Sequence, residues 1–357
     1  MNPAPQNPAT AFRDRDIIRD VNGMIYVTLG FIQPESRVLS FIKYIPDSQG
    51  KWESEGRRYR RVFWGGTASA ADGMPLVPPD YIVNDPHFGT ELLELPHGDI
   101  TDHLCPESRL QQIMQNGPQD ELEEDVVRIA EIIHDSLDIA LNRIGVAGSI
   151  LWNAHNPAYS DVNMVVHGYE NGWKLEHGYE RMDLDSGQIR FRTPSEWPEV
   201  KARILERIPA LSSDDLDVLF SRRKALYSNE RFIGVTPVLL PDEAPIRHSS
   251  ESYATLNPVP IRVDLEILDD KYGIFTPAVY ECISEPITEI DRACVTRLMI
   301  YEGVFGRLLC SEDSVEVVGT LQRVQPASDD PPFYQIMIGT KEGAGKELLR
   351  YKPDSEL

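Results

Sequence analysis

The stretch "DELEEDVVRIAEIIHDSLDIALNRIGVAGSI", residues 120–150, constrains the fold more than any other part of the chain. Leu122, Val126, Ile129, Ile133, Leu137, Ala140 and Ile144 recur at steps of three and four, which places them on one face of a helix. Pro118 precedes this segment, Asp120 and Glu123 have the spacing of a capping box, and Gly145 supplies a C-terminal stop. "VAGS" then reads as a short strand ending in a Gly-Ser pair. A one-faced helix needs a partner to cover, so the strand that follows predicts an α/β core at the centre of the chain.

Strand patterns lie on both sides of that core. "MIYVTLGFI" and "RVLSFIKYI", joined by the turn-like "QPES", predict a hairpin, and "RRYRRVFW" a third strand. The Pro-punctuated stretch up to Gly117 gives no clear elements, so residues 12–116 are expected to form an N-terminal β-rich domain. "SEWPEVKARILERIP" and "SSDDLDVLFSRRKALYSNERF" carry helical signals, the second capped by Ser212 or Ser213, and complete a core domain over 117–250. Residues 251–357 hold five short strand-like runs, "IRVDLEIL", "AVYECIS", "VTRLMIYE", "SVEVVGTLQRV" and "FYQIMIGT", which suggest a small closed barrel or sandwich. The expected class is an α+β multidomain protein, an α/β core between an N-terminal β-rich domain and a C-terminal barrel resembling an oligonucleotide-binding fold.

Charge restricts the partners. With 57 acidic against 35 basic residues the formal net charge is −22, which excludes broad attachment to nucleic acid or anionic lipid, because such binding neutralises phosphates with Lys and Arg. Any nucleic-acid contact must be local. Cys105, Cys282, Cys294 and Cys310 show no C-x-x-C pair and no zinc-ligand spacing, as expected of free thiols in a reducing compartment. "MNPAPQNPATAFRDRD" lacks the apolar stretch of a secretory signal and reads as a short lead, and no apolar run reaches the roughly 18 residues of a membrane span. A soluble, cytoplasmic protein without a membrane partner is the expectation.

Chemistry concentrates in "AGSILWNAHNPAYSDVNMVV", residues 147–166. Gly148 lets the backbone approach a phosphate closely, and Ser149 adds a hydroxyl. In "SDVNMVV", Asp161 and Asn163 leave one face of a strand while Val162, Met164 and Val166 leave the other. Two oxygen ligands so spaced could hold magnesium against a triphosphate. Gly-Ser, eleven residues, then acid, apolar residue and acid is the signature of the DNA polymerase beta superfamily of nucleotidyltransferases, which this stretch resembles with Asn163 in place of the second acid. "RDRDIIRDVNGMIYVTLGFIQPESRVLSFIKYIPDSQGKW", "HGDI", "GIFTPAVYE" and "VEVVGTLQRV" are similar in order to a group of archaeal predicted nucleotidyltransferases.

The resemblance implies that Gly148 and Ser149 hold a nucleoside triphosphate, that Asp161 binds Mg2+ and that Asn163 occupies the place of a bridging carboxylate. A third acid on a neighbouring strand would deprotonate the attacking hydroxyl, and Asp264 and Asp242 are the candidates. Arg222 and Arg223 could reach the triphosphate from a helix. The activity implied is transfer of a nucleoside monophosphate to a hydroxyl acceptor. Because an amide brings no charge to a two-metal site, the alternative is a catalytically inactive scaffold that binds nucleotide or nucleic acid. "KWESEGRRYRRVFWGG" interleaves Arg57, Arg58, Arg60 and Arg61 with Trp52, Tyr59, Phe63 and Trp64, a combination suited to single strands, although a hairpin whose arginines pair with the protein's own acids reads equally well. His155, in the loop before Asp161, could touch substrate.

Overall fold

The computed structural model describes residues 11–182, 189–193, 196–228, 231–257 and 259–352. The N-terminal lead, residues 1–10, and residues 194–195 and 229–230 of the helix-signalled segments lie outside the described residues. The fold is mixed α/β, with seven helices and three sheets among the described residues. No helix among them is long and apolar enough to cross a membrane.

The first sheet has eight strands: β1 (Ile17–Asp20), β2 (Ile25–Thr28), β3 (Arg37–Pro46), β4 (Trp52–Ser54), β5 (Arg57–Arg61), β6 (Ile82–Asp85), β7 (Thr90–Pro96) and β8 (Ile100–Leu104). The expected hairpin is β2–β3, and β5 pairs with the far end of β3, opposing Arg61 to Tyr44. The β2–β3 register shifts by one residue, so Lys43 is extra in β3. Helix α1 (Gly66–Gly73) lies in the region that gave no sequence signal.

The second sheet is covered by α2 (Pro106–Asn116) and α3 (Glu121–Leu137). Asp120 caps α3 by accepting from the Leu122 and Glu123 amides, while Glu123 accepts from Gln119 N rather than closing the expected box. Leu122, Val126, Ile129, Ile133 and Leu137 are all buried, as the periodicity requires, each worth about 1.5–3 kcal/mol. The helix stops earlier than Gly145. Asp138 takes a left-handed conformation, φ 53°, which a short polar side chain tolerates, and Ala140 and Ile144 fall outside the helix. Gly145 instead lies in strand β9 (Ile144–Val146), where a Cβ would stand 2.6 Å from the backbone at the start of α2.

From β9 the chain enters α4 (Gly148–Leu151), then β10 (Val162–His167), α5 (Tyr169–Gly178), β11 (Arg190–Phe191), α6 (Pro198–Arg207), α7 (Ser213–Ser221), β12 (Leu226–Ser228) and β13 (Arg231–Val238). The sheet runs β11-β12-β13-β10-β9, with β10 and β13 parallel and the other pairs antiparallel. Ser212 caps α7 in a complete capping box with Asp215.

The third sheet contains β14 (Glu251–Thr255), β15 (Ile261–Tyr272), β16 (Ala278–Ser284), β17 (Arg297–Ile300), β18 (Ser314–Pro326), β19 (Phe333–Ile338) and β20 (Leu348–Tyr351). Five of them close a barrel in the order β15-β16-β17-β19-β18 and back to β15, with β17 and β19 parallel. These are the five runs read from the sequence. Strands β14 and β20 extend the sheet from β18.

The hydrophobic clusters do not respect boundaries at residues 116 and 250. Leu151, Trp152 and Ala154 pack with Ile17, Val27, Phe41 and Tyr44 of the first sheet. Trp197, Ile204, Leu216, Leu219 and Phe220, from α6, α7 and the residue before α6, join the core of the barrel.

Candidate functional site

Asp161 stands just before β10, where Val162, Met164 and Val166 enter the core beneath α3 and Asn163 takes the opposite, half-buried face. The period of a strand thus puts Asp161 and Asn163 on one side, as the sequence predicts. Gly148 opens α4 with φ +66°, and a Cβ there would stand 3.2 Å from Asn163 Nδ2. On the other flank Gly234, which pairs with Asn163 across β10–β13, would place a Cβ 3.4 Å from Asn163 Oδ1. Both glycines leave room for this amide. Ser149 Oγ reaches Ser160 Oγ at 3.4 Å, and Ser160 Oγ accepts from Asn156 N, so the Gly-Ser turn is tied to the loop that delivers Asp161. His155 is tied back as well, with Nε2 2.9 Å from the capping carboxylate of Asp120.

Among the described residues of β13, none on this face is an acid. The residues of β13 that share it are Phe232, Gly234 and Thr236. Asp264, expected as the general base, lies on barrel strand β15, and its carboxylate pairs with Lys352 Nζ at 2.6 Å. Asp242 lies beyond the C-terminal end of β13, whereas Asp161 precedes Val162, which pairs with Ile233 near the start of that parallel strand. The arginines expected to reach the triphosphate also turn elsewhere. Arg222 pairs with Asp313 at 2.7 Å and lies over the Tyr351 ring, and Arg223 donates to the Gly303 and Val304 carbonyls.

Other arginines lie within electrostatic range of Asp161 without pairing with it. Burial pushes its carboxyl above the usual range, against the opposing pull of Arg231, Arg61 and Arg192. Arg231 donates to the Pro157 and Ser160 carbonyls and shares its charge with Asp125 and Glu121, each at 3.4 Å. Arg61 and Arg192 have no carboxylate partner among the described residues. Arg61 donates to Phe63 O and lies 4.6 Å from the centre of the exposed Trp64 ring. Arg192 donates to Glu196 O and lies 3.7 Å from the centre of the Trp197 ring. Lys43, the extra residue of β3, has Arg61 and Arg15 as charged neighbours, and burial foremost, then those charges, lower its amine to about 7. Neither Arg231 nor Arg192 gave a sequence signal; their proximity to Asp161 is made by packing across the second sheet. Among the basic hairpin residues, Arg58 and Arg60 pair with Glu53 and Asp47 on the exposed side and do not reach this cleft.

Two sets of residues offer candidate metal ligands. Asp161 and Asn163 could offer magnesium two oxygens, and neither side chain makes a hydrogen bond or ion pair among the described residues, but they bring one charge between them and three guanidinium groups oppose a dication. Asp16, His103 and Cys105 also approach each other, with Nε2 of His103 2.8 Å from Asp16. There the Arg13 guanidinium reaches both Asp16 and Glu107, and burial foremost, helped by these carboxylates, pushes the Cys105 thiol up to about 12, so the three side chains could hold a metal only by displacing a proton from the thiol and competing with Arg13.

Comparison with protein-family models, with curated proteins and with solved structures finds no match to this chain.

Proposed function

We propose that this chain binds a nucleotide, or the phosphates of single-stranded nucleic acid, in the cleft beside Asp161 and has given up two-metal nucleotidyl transfer. The observation that carries this reading is that Asp161, exposed ahead of β10, has Arg61, Arg192 and Arg231 as charged neighbours, of which the first two have no acidic partner among the described residues. Two-metal chemistry requires carboxylates that neutralise and bridge the ions. This cleft has the opposite balance, which attracts phosphate oxygens. Trp64, 65% exposed beside Arg61, offers a ring on which a base could stack. Two further features agree with the reading: the strand, Gly-Ser turn and acid-bearing strand of the superfamily resembled, and a barrel whose strand order with one parallel pair is that of oligonucleotide-binding folds.

The test is ATP binding by calorimetry, with and without magnesium. Binding should persist in EDTA and weaken with salt, and Arg61→Ala and Arg192→Ala should each weaken it roughly tenfold, the scale of one lost charge-assisted hydrogen bond. The double variant Arg58→Ala/Arg60→Ala should leave it within about twofold, because exposed ion pairs contribute little. Magnesium-dependent transfer of labelled nucleotide to an offered oligonucleotide would overturn the proposal.

A further inference from the structure

The three sheets leave a cavity of about 460 Å3 between them, lined by Leu39 and Phe41 of the first sheet, by Thr236 of the second and by Ile300, Met337 and Gln322 of the third. That volume falls within the range of small-molecule sites, ~300–1,000 Å3, and well above what packing defects leave in a close-packed interior. Its walls are mainly apolar. Phe63, Phe88 and Phe275 add rings, and Ala70 and Ala71 of α1 leave room where larger residues would close it.

One end is cationic. Lys224 and Arg307 share the single carboxylate of Glu176, at 2.8 and 3.0 Å, and Arg223 beside them has only carbonyl partners. Of the other acids in the lining, Glu302 accepts from Thr67 N and so closes the first turn of α1, Glu91 pairs with Lys341 at 3.1 Å and Glu342 accepts from the Thr90 hydroxyl. Burial foremost, followed by the neighbouring Arg307, pulls the Arg223 guanidinium down to about 10, against the smaller opposing pull of Glu302. Buried hydroxyls of two lining residues, Ser40 and Tyr301, have no hydrogen-bond partner in the protein. An unpaired polar group in an interior costs about 1–3 kcal/mol. Apolar walls, three basic side chains gathered at one end and unused hydroxyls describe a site complementary to an amphipathic anion.

We infer that this cavity is a binding site for a small organic acid with an aromatic or short aliphatic body, its acid group held by Arg223 and Lys224. Asp161, Asn163, Arg61, Arg192 and Arg231 do not line this cavity, although Thr236 borders both sites, so the cavity site stands whether or not the Asp161 cleft binds nucleotide.

Anilinonaphthalene sulfonate, which joins an aromatic body to one anionic group, is a suitable probe for the full chain. Titration should give saturable fluorescence at one site per chain and a rise in the unfolding midpoint, since a ligand of the folded state raises it. Ala71→Trp, which fills the cavity, should abolish the saturable phase, and Lys224→Gln should weaken it roughly tenfold. Should Ala71→Trp lose the far-ultraviolet circular dichroism of the parent, Met74→Trp fills the same space from the rim. Asp161→Asn should leave the titration unchanged. Non-saturable binding, or saturable binding that survives a folded cavity-filling variant, would overturn the assignment.

Discussion

The smallest feature with a mechanistic consequence is the Asn163 amide, held between Gly148 and Gly234 with its polar atoms uncommitted. Asn163→Asp sets a second carboxylate beside Asp161, whose carboxyl burial already raises. Like charges raise both further. A carboxyl with a raised folded pKa favours the folded state below its unfolded pKa, and that contribution is lost as pH rises through the folded value. Because Asp161 is exposed and the neighbouring arginines offset the repulsion, the variant should be less stable than the parent by only about 0.5 kcal/mol at neutral pH, and the difference should vanish near pH 3–4. Urea denaturation at both pH values measures it. If the uncommitted amide instead belongs to a magnesium site, magnesium with triphosphate should reverse the deficit at neutral pH. At this scale the sequence was informative where strand alternation alone decides, as for Asp161 and Asn163. It was uninformative where register decides: only the pairing of β10 with β13 reveals that Phe232, Gly234 and Thr236 stand where a third acid would be needed.

Among the elements, the barrel was the most legible and the end of α3 the least. Each barrel strand carries its own alternation and turn residues, whereas the parallel β17–β19 pairing that closes the ring joins residues far apart in sequence and leaves no local mark. The stop of α3 was misassigned to Gly145 because a left-handed Asp138 does the work usually given to glycine. The barrel also holds a group whose ionisation its closure opposes. Glu347, 4% exposed between β19 and β20, accepts from the Gly339 and Thr340 amides and from Thr320 and Thr340 hydroxyls, yet burial pushes its carboxyl from 4.5 up to about 7. The neutral acid therefore stabilises the fold below its ordinary pKa, and this contribution is lost as pH rises to about 7. Its size is on the order of 2–3 kcal/mol. Glu347→Gln should flatten the stability profile across that window by about this amount, as read from thermal midpoints in a pH series.

At the scale of the whole molecule, the predicted boundaries follow the sheets and miss the cores. Helices α6 and α7, assigned by sequence to the central domain, bury Ile204, Leu216, Leu219 and Phe220 against the barrel. Amphipathic periodicity shows that a helix has an apolar face but not which sheet receives it. A fragment starting at residue 251 would lose those side chains, each worth about 1.5–3 kcal/mol, and should fail to unfold cooperatively, while one starting at residue 196 should recover a sharp transition. Scanning calorimetry of the two fragments distinguishes these outcomes. A last consequence belongs to a cationic cleft on a chain of net charge −22. Field lines on a chain so acidic converge on a positive opening, and their reach is about one Debye length, roughly 8 Å in physiological salt. A compact polyanion that fits within that reach meets the opening alone, whereas each further phosphate of a long polymer extends over a molecule whose net charge repels it.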